Sequence, residues 1–284
     1  MKKTIIAAIA TSMCLSACSA PPADIAEIPS GTEAPPEATA EPTPKCTVNP
    51  AEYDSLNSTG VGWGLVRKKG APPEVDLKGK TLLEEHGGYY MDQTMPKALY
   101  LTFDEGYENG FTAKILDILQ AEQVPAAFFV TGPYLKNQTE LVQRMIDEGH
   151  IVGNHTVNHL NLPQQTAETV QKELENLNRE CEKIYGVSMN YMRPPEGEYS
   201  EKVLKVAEDM GYKTIMWSFA YKDWDINTQK GGDYAFSQVT PYLHDGAILL
   251  LHAVSSDNAS ALERIIEYAR EQGYEFRSLD DLGK

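Results

Sequence analysis

Two adjacent carboxylates, Asp104 and Glu105, end the apolar run Ala98-Leu99-Tyr100-Leu101 within Leu101-Thr102-Phe103-Asp104-Glu105-Gly106-Tyr107. Neighbouring carboxylates repel and lose hydration at a buried strand end, so they need a metal or a cation nearby. Further along, His155-Thr156-Val157-Asn158-His159 sets two imidazoles four residues apart, a spacing that puts both on one side of a helical turn. Two histidines with a carboxylate are a common set for a catalytic divalent ion that keeps open positions. Arg193 follows Tyr191-Met192, Asp223 trails Trp217-Ser218-Phe219, and His252 ends Ala247-Ile248-Leu249-Leu250-Leu251. All these polar residues fall at the carboxyl ends of expected strands, the face on which parallel β/α barrels build active sites. Ordinary surface residues would scatter instead.

The elements that must position them follow one pattern. Ile115, Leu116 and Leu119 form a helical stripe before the strand at Pro125 to Val130, and Asn137-Gln138-Thr139-Glu140 has the form of a capping box. Gly149 stops that helix before His150-Ile151-Val152. The same stop recurs at Gly211 and Gly273, the ordering of a parallel α/β domain. From about Thr166 to Tyr185, the residues Val170, Leu174, Leu177, Cys181 and Ile184 mark one helix face, Ser200 caps the next helix, and Asn258 starts the last. His86, His150 and His244 lie in the upstream segment, after a helix stop and in a turn, and read as structural.

Met1 to Cys18 reads as an export signal: a basic start, a short apolar stretch, and Leu15-Ser16-Ala17-Cys18, which resembles a lipobox with Cys18 as the lipidated residue. Residues 19–49 read as a disordered tether, since Ser19 to Lys45 hold seven prolines and five acids. The expected placement is the outer face of the cell membrane, held by the lipid anchor alone. Residues 50–96, with the irregular Gly60-Val61-Gly62-Trp63-Gly64 and the breaking Ala71-Pro72-Pro73, read as an extension packed on a main domain at 97–284. Cys46 and Cys181 have the option of a disulfide, against a buried thiol at Cys181. The formal net charge of −16 gives no electrostatic reason to bind nucleic acid.

From Lys97 onward the chain resembles the NodB-type polysaccharide deacetylases, carbohydrate esterase family 4. Thr102-Phe103-Asp104-Glu105-Gly106, His155 with His159, Arg193-Pro194-Pro195-Glu196-Gly197, Asp223-Trp224 and Leu250-Leu251-His252 match its ordered motifs. The resemblance implies an α/β fold, a distorted parallel (β/α) barrel, acting as a metal-dependent hydrolase of N-acetyl groups. It implies Asp104 as base partnered by Arg193, His252 as acid supported by Asp223, and Glu105, His155 and His159 as ligands of zinc or another divalent transition metal. The Glu196 N–H would face the oxyanion, Trp224 and Leu250 would wall the acetate pocket, and Tyr107 and Tyr199 would touch sugar. Glu105 stands where the family usually has Asp, and Glu196 where it has an aromatic residue. The runs Thr102 to Gly110, Asp223 to Asn227 and Leu251 to Ser255 resemble the delta-lactam-biosynthetic muramic acid de-N-acetylases, in which that Glu also occurs. The expected partner is peptidoglycan glycan strands and the expected state a monomer. The alternatives are a deacetylase of N-acetylglucosamine in peptidoglycan or chitin-like chains, an O-acetyl esterase on xylan, and a surface glycan-binding protein without turnover.

Overall fold

The computed structural model describes residues 49–284 except Asp54, so the export signal, Cys18, most of the tether and Cys46 lie outside the described residues. In chain order the strands are β1 (Val61–Gly62), β2 (Leu65–Lys68), β3 (Ala71–Val75), β4 (Ala98–Glu105), β5 (Ala126–Val130), β6 (Ile151–Asn154), β7 (Tyr191–Met192), β8 (Glu198–Tyr199), β9 (Lys213–Thr214), β10 (Ala247–His252) and β11 (Glu275–Phe276). The helices are α1 (Leu77–Glu85), α2 (Thr112–Ala121), α3 (Gly132–Asn137), α4 (Thr139–Asp147), α5 (Ala167–Tyr185), α6 (Glu201–Asp209), α7 (Gly232–Val239) and α8 (Ser256–Glu271).

A parallel sheet runs β10-β4-β5-β6-β7-β9, with β11 also paired to β4. Beyond β9 the chain regains β10, since Ser218 and Phe219 donate to the Ile248 carbonyl and the Leu250 N–H donates to Phe219. The sheet therefore curls into the distorted (β/α) barrel that the sequence leads one to expect. β4 is buried along its whole length, as a strand covered on both faces must be. Its side chains alternate. Ala98 and Tyr100 pack inward with Ala127, Phe129 and Ile248, whereas Leu99, Leu101 and Phe103 pack outward against the helices.

Local chemistry explains most helix ends. Thr166 and Ser200 cap α5 and α6 by accepting the Thr169 and Val203 N–H groups, and Gly186 ends α5 at φ 70°, where a side chain is disfavoured. Several expectations change. Gln138 precedes α4 without a side-chain cap, so the capping box does not form. The last helix begins at Ser256 with Ser255 as its cap, two residues before Asn258. Ile184 is 41% exposed because the apolar stripe of α5 has turned away from the core by its last turn. Ala71-Pro72-Pro73 does not break structure but lies in β3, half of a two-stranded ribbon whose edges tolerate proline. Upstream of Lys97, β1 pairs with β8, and Tyr53, Trp63, Leu83 and Tyr90 join the main core. Cys181 is a buried free thiol. None of the described helices is long and apolar enough to cross a membrane.

Candidate active site

A cleft of about 520 Å³ opens at the carboxyl ends of the strands, lined among others by Asp104, Tyr107, His155, Asn158, His159, Trp224 and His252. Asp104 and His252 are register partners on the neighbouring strands β4 and β10. Each has its own buried support.

Asp104 points inward with Thr102. Its Oδ1 accepts from Arg193 Nη1 at 2.7 Å, while Arg193 Nη2 donates to Thr102 Oγ1 at 2.9 Å and Nε to the Ile215 carbonyl at 2.9 Å. Arg193 is fully buried, and its guanidinium lies 4.2 Å from the centroid of the Phe129 ring. Burial pushes the Asp104 carboxyl up, but the Arg193 guanidinium, aided by His252, outweighs it and holds the group below the usual carboxylate range.

His252 Nδ1 donates to Asp223 Oδ1 at 2.7 Å, and the His252 N–H donates to Oδ2 at 2.8 Å. Asn258 Nδ2 also donates to Oδ2 at 2.6 Å, and Tyr221 donates to the Asn258 carbonyl oxygen. Burial disfavours the imidazolium, yet Asp223 overcomes this and raises the His252 pKa above its ordinary value. The site thus holds a stabilised carboxylate beside a stabilised imidazolium.

His155 and His159 meet edge to face at 4.9 Å between ring centroids. The segment joining them is not the expected helical turn. It is a loop in which Thr156 and His159 take φ of 68° and 54°. His155 Nδ1 donates to the Arg193 carbonyl at 2.8 Å, so its Nε2 lone pair faces Asp104 Oδ2, 3.7 Å away. Burial lowers the His155 pKa to about 4 and keeps the ring neutral.

Glu105 is the main correction. It does not line the cleft: the alternation of β4 turns it outward with Phe103, and it is fully buried. There it neighbours Thr112 and Tyr134, and neither carboxyl oxygen has a hydrogen-bond partner of good geometry. Burial, reinforced by Glu108 and Asp104, pushes its pKa well above the ordinary value. Among the described residues no group of three or more His, Cys, Asp or Glu side chains is placed to hold a metal ion. The expected set of Glu105, His155 and His159 therefore does not assemble, for want of its carboxylate.

The remaining candidates divide. Tyr107 and Trp224 are each 52% exposed on the cleft, with Trp224 5.9 Å from the His252 ring between centroids. Leu250 is buried in β10 and is not among the lining residues, and Tyr199 is fully buried in β8, opposite Val61 of β1, and does not line the cleft either. Glu196 lies outside the lining at φ 60°, its carboxylate accepting from Asn161 Nδ2 at 3.3 Å. His86, His150 and His244 make structural bonds to Glu208, the Ala126 N–H and Ser218. Thr102 and Asn258 escaped the sequence reading. Thr102 stands two residues before Asp104, and that period was the available signal.

A parallel barrel carrying this paired acid and base at its strand ends suits a hydrolase, and the chain belongs to the polysaccharide deacetylase family, carbohydrate esterase family 4. The family model "Polysaccharide deacetylase" matches residues 92–215. The chain is 45% identical over 234 residues to the peptidoglycan N-acetylmuramic acid deacetylase PdaA of Bacillus subtilis, covering 82% of this chain and 89% of that protein. The solved structure of Bacillus subtilis PdaA, a family 4 carbohydrate esterase, superposes with a TM-score of 0.78 at 46% identity, over 80% of this chain and 98% of that one. A chitooligosaccharide deacetylase of Sinorhizobium fredii is 32% identical over 196 residues, which is 64% of this chain and 90% of that protein.

Proposed function

We propose that this polysaccharide deacetylase removes the N-acetyl group from N-acetylmuramic acid in peptidoglycan glycan strands, leaving an amine that can close to the muramic delta-lactam. The observation that carries the reading is the adjacency of Asp104 and His252 on β4 and β10, each held in its working charge state by a buried partner. The choice of sugar rests on the 45% identity to PdaA.

In this mechanism one water sits between the two acceptors, Asp104 Oδ2 and His155 Nε2, which are 3.7 Å apart. Asp104, kept ionised by Arg193, takes a proton as the water attacks the acetamide carbon. The Glu196 residue lies outside the cleft lining, and its N–H is kept as the proposed donor to the tetrahedral oxyanion on the resemblance of Arg193-Pro194-Pro195-Glu196-Gly197 to the family motif. His252 then protonates the departing nitrogen, which leaves as an amine while acetate remains. Trp224 and Tyr107 offer flat apolar faces to the sugar from the cleft wall.

Deacetylases of this family are generally metal-dependent. The residues present do not complete the expected ligand set, so no step above runs through a metal. The proposed location is the outer face of the cell membrane, with Cys18 as the lipidated anchor, a reading supported by the Leu15-Ser16-Ala17-Cys18 sequence.

Acetate release from glycan strands stripped of stem peptides tests the function. Asp104→Ala is expected to lower the rate by about 10²–10⁴-fold. No release by the unaltered protein from any acetylated glycan would overturn the deacetylase reading. Release from N-acetylglucosamine oligomers alone would overturn the muramic one.

A further inference from the structure

The loop carrying His155 and His159 is held in an unfavourable shape. Thr156 and His159, neither of them glycine, sit at φ 68° and 54°, each costing on the order of 1 kcal/mol or more. Three ties hold it. Asn154 Oδ1 accepts the Thr156 N–H at 2.9 Å, and Thr156 Oγ1 accepts the His159 N–H at 3.0 Å. The third comes from outside the loop: Glu173, on α5, accepts the Asn158 N–H on Oε2 at 2.7 Å and the Asn158 side-chain amide on Oε1 at 2.6 Å. Gly132 lets the loop settle closely, since a Cβ there would lie 2.7 Å from the Val157 carbonyl oxygen.

Glu173 is only 6% exposed, on the buried side of α5 beside Val170, Leu174 and Leu177. A carboxylate in such a place is unfavourable for stability, and an apolar residue would serve helix packing better. Both of its oxygens are spent on Asn158, the residue immediately before His159.

We propose that Glu173 is a positioning residue of the deacetylation site, acting through Asn158 to fix the His159 imidazole against the cleft. The proposal rests on the reading that His155 and His159 belong to that site: both line the cleft, and the His159 ring packs edge to face on His155, whose Nε2 is one of the two acceptors for the attacking water. It predicts a particular failure in Glu173→Leu, which fills the space on α5 but offers no acceptor to the Asn158 N–H or to its side-chain amide. Glu173→Gln is the conservative control: its carbonyl accepts the Asn158 N–H, and a half-turn of the Asn158 amide presents Oδ1 to the glutamine N–H, so both bonds survive.

The test uses the full chain with peptidoglycan strands stripped of stem peptides, and records imidazole ¹H–¹³C NMR signals without substrate. Glu173→Leu is expected to lower kcat about 10–100-fold with KM within about twofold, and to shift the His159 signals while leaving those of His252 in place. Glu173→Gln is expected to keep kcat several-fold above that of Glu173→Leu and the His159 signals near those of the unaltered protein. Unaltered His159 signals and kcat in a folded Glu173→Leu protein would overturn the proposal, as would a Glu173→Gln protein no better than Glu173→Leu. Should Glu173→Leu fail to fold, Asn158→Ala, which removes the side-chain bond from the other end, decides through the same signals. The NMR arm needs no turnover, so absence of activity in every protein, with His159 displaced as expected, would overturn the deacetylase reading while upholding the positioning role.

Discussion

Replacing Glu105 by glutamine removes a buried ionisable group while keeping its shape, and the effect on stability depends on pH in a defined direction. The folded-state pKa lies well above the ordinary value of 4.5 because the group is fully buried and faces Glu108 and Asp104. Below pH 4.5 the carboxyl is protonated in both the folded and the unfolded chain and contributes no pH dependence. Above 4.5 the unfolded chain ionises while the folded chain keeps its proton, so the unaltered protein loses stability as the pH rises. The slope is about 1.4 kcal/mol per pH unit until the folded-state pKa is passed, after which it levels. Glu105→Gln has no such slope at this position. Urea unfolding followed by tryptophan fluorescence, from about pH 4.5 to about pH 7.5, should show the variant gaining on the unaltered protein by that amount per unit over the lower part of the range. A stability difference that stays constant with pH would refute the placement of Glu105 as a buried, unpaired carboxyl.

Two further outcomes follow from the same geometry. Titration calorimetry with Zn²⁺ is expected to give affinities within about twofold for the unaltered protein and Glu105→Gln, because Glu105 faces away from the cleft; a loss of about tenfold or more would return it to the ligand set. In Asp223→Asn, His252 keeps the desolvation that lowers its pKa and loses the carboxylate that raises it, so the alkaline limb of the kcat/KM profile should move to lower pH; an unmoved limb would show that His252 is not the acid.

The strand ends were readable from the sequence because apolar runs followed by single polar residues mark the open face of a parallel barrel, and Asp104, Arg193, Asp223 and His252 all stand there or directly behind it. Glu105 was misread for a reason also present in the sequence. The period of two along β4 sets Thr102 with Asp104 and Phe103 with Glu105, and the resemblance in motif pulled both acids to one side. The histidine pair was misread because a spacing of four fits a helical turn, whereas a bond from Asn154 and another from Glu173 stabilise a left-handed loop instead. Glu173 and Asn158 lie 15 residues apart in the chain, and Asn258 reaches Asp223 from 35 residues away. A glutamate within a helix and an asparagine in its first turn look like solvated polar positions until the fold brings a partner to each.

The pairing of β1 with β8 reaches further than its two residues suggest. Val61 lies opposite Tyr199, the Trp63 N–H donates to the Gly197 carbonyl, and the Trp63 indole donates to the Trp217 carbonyl at 2.8 Å. One short segment therefore fastens the turn behind Arg193 to the stretch that completes the barrel beside β10. The autonomous unit is accordingly longer than the family match at 92–215 in both directions. A domain trimmed to begin at Lys97 would keep all of the reacting groups and lose the brace that sets the arginine's turn, so a working form of this enzyme has to include Val61 to Trp63.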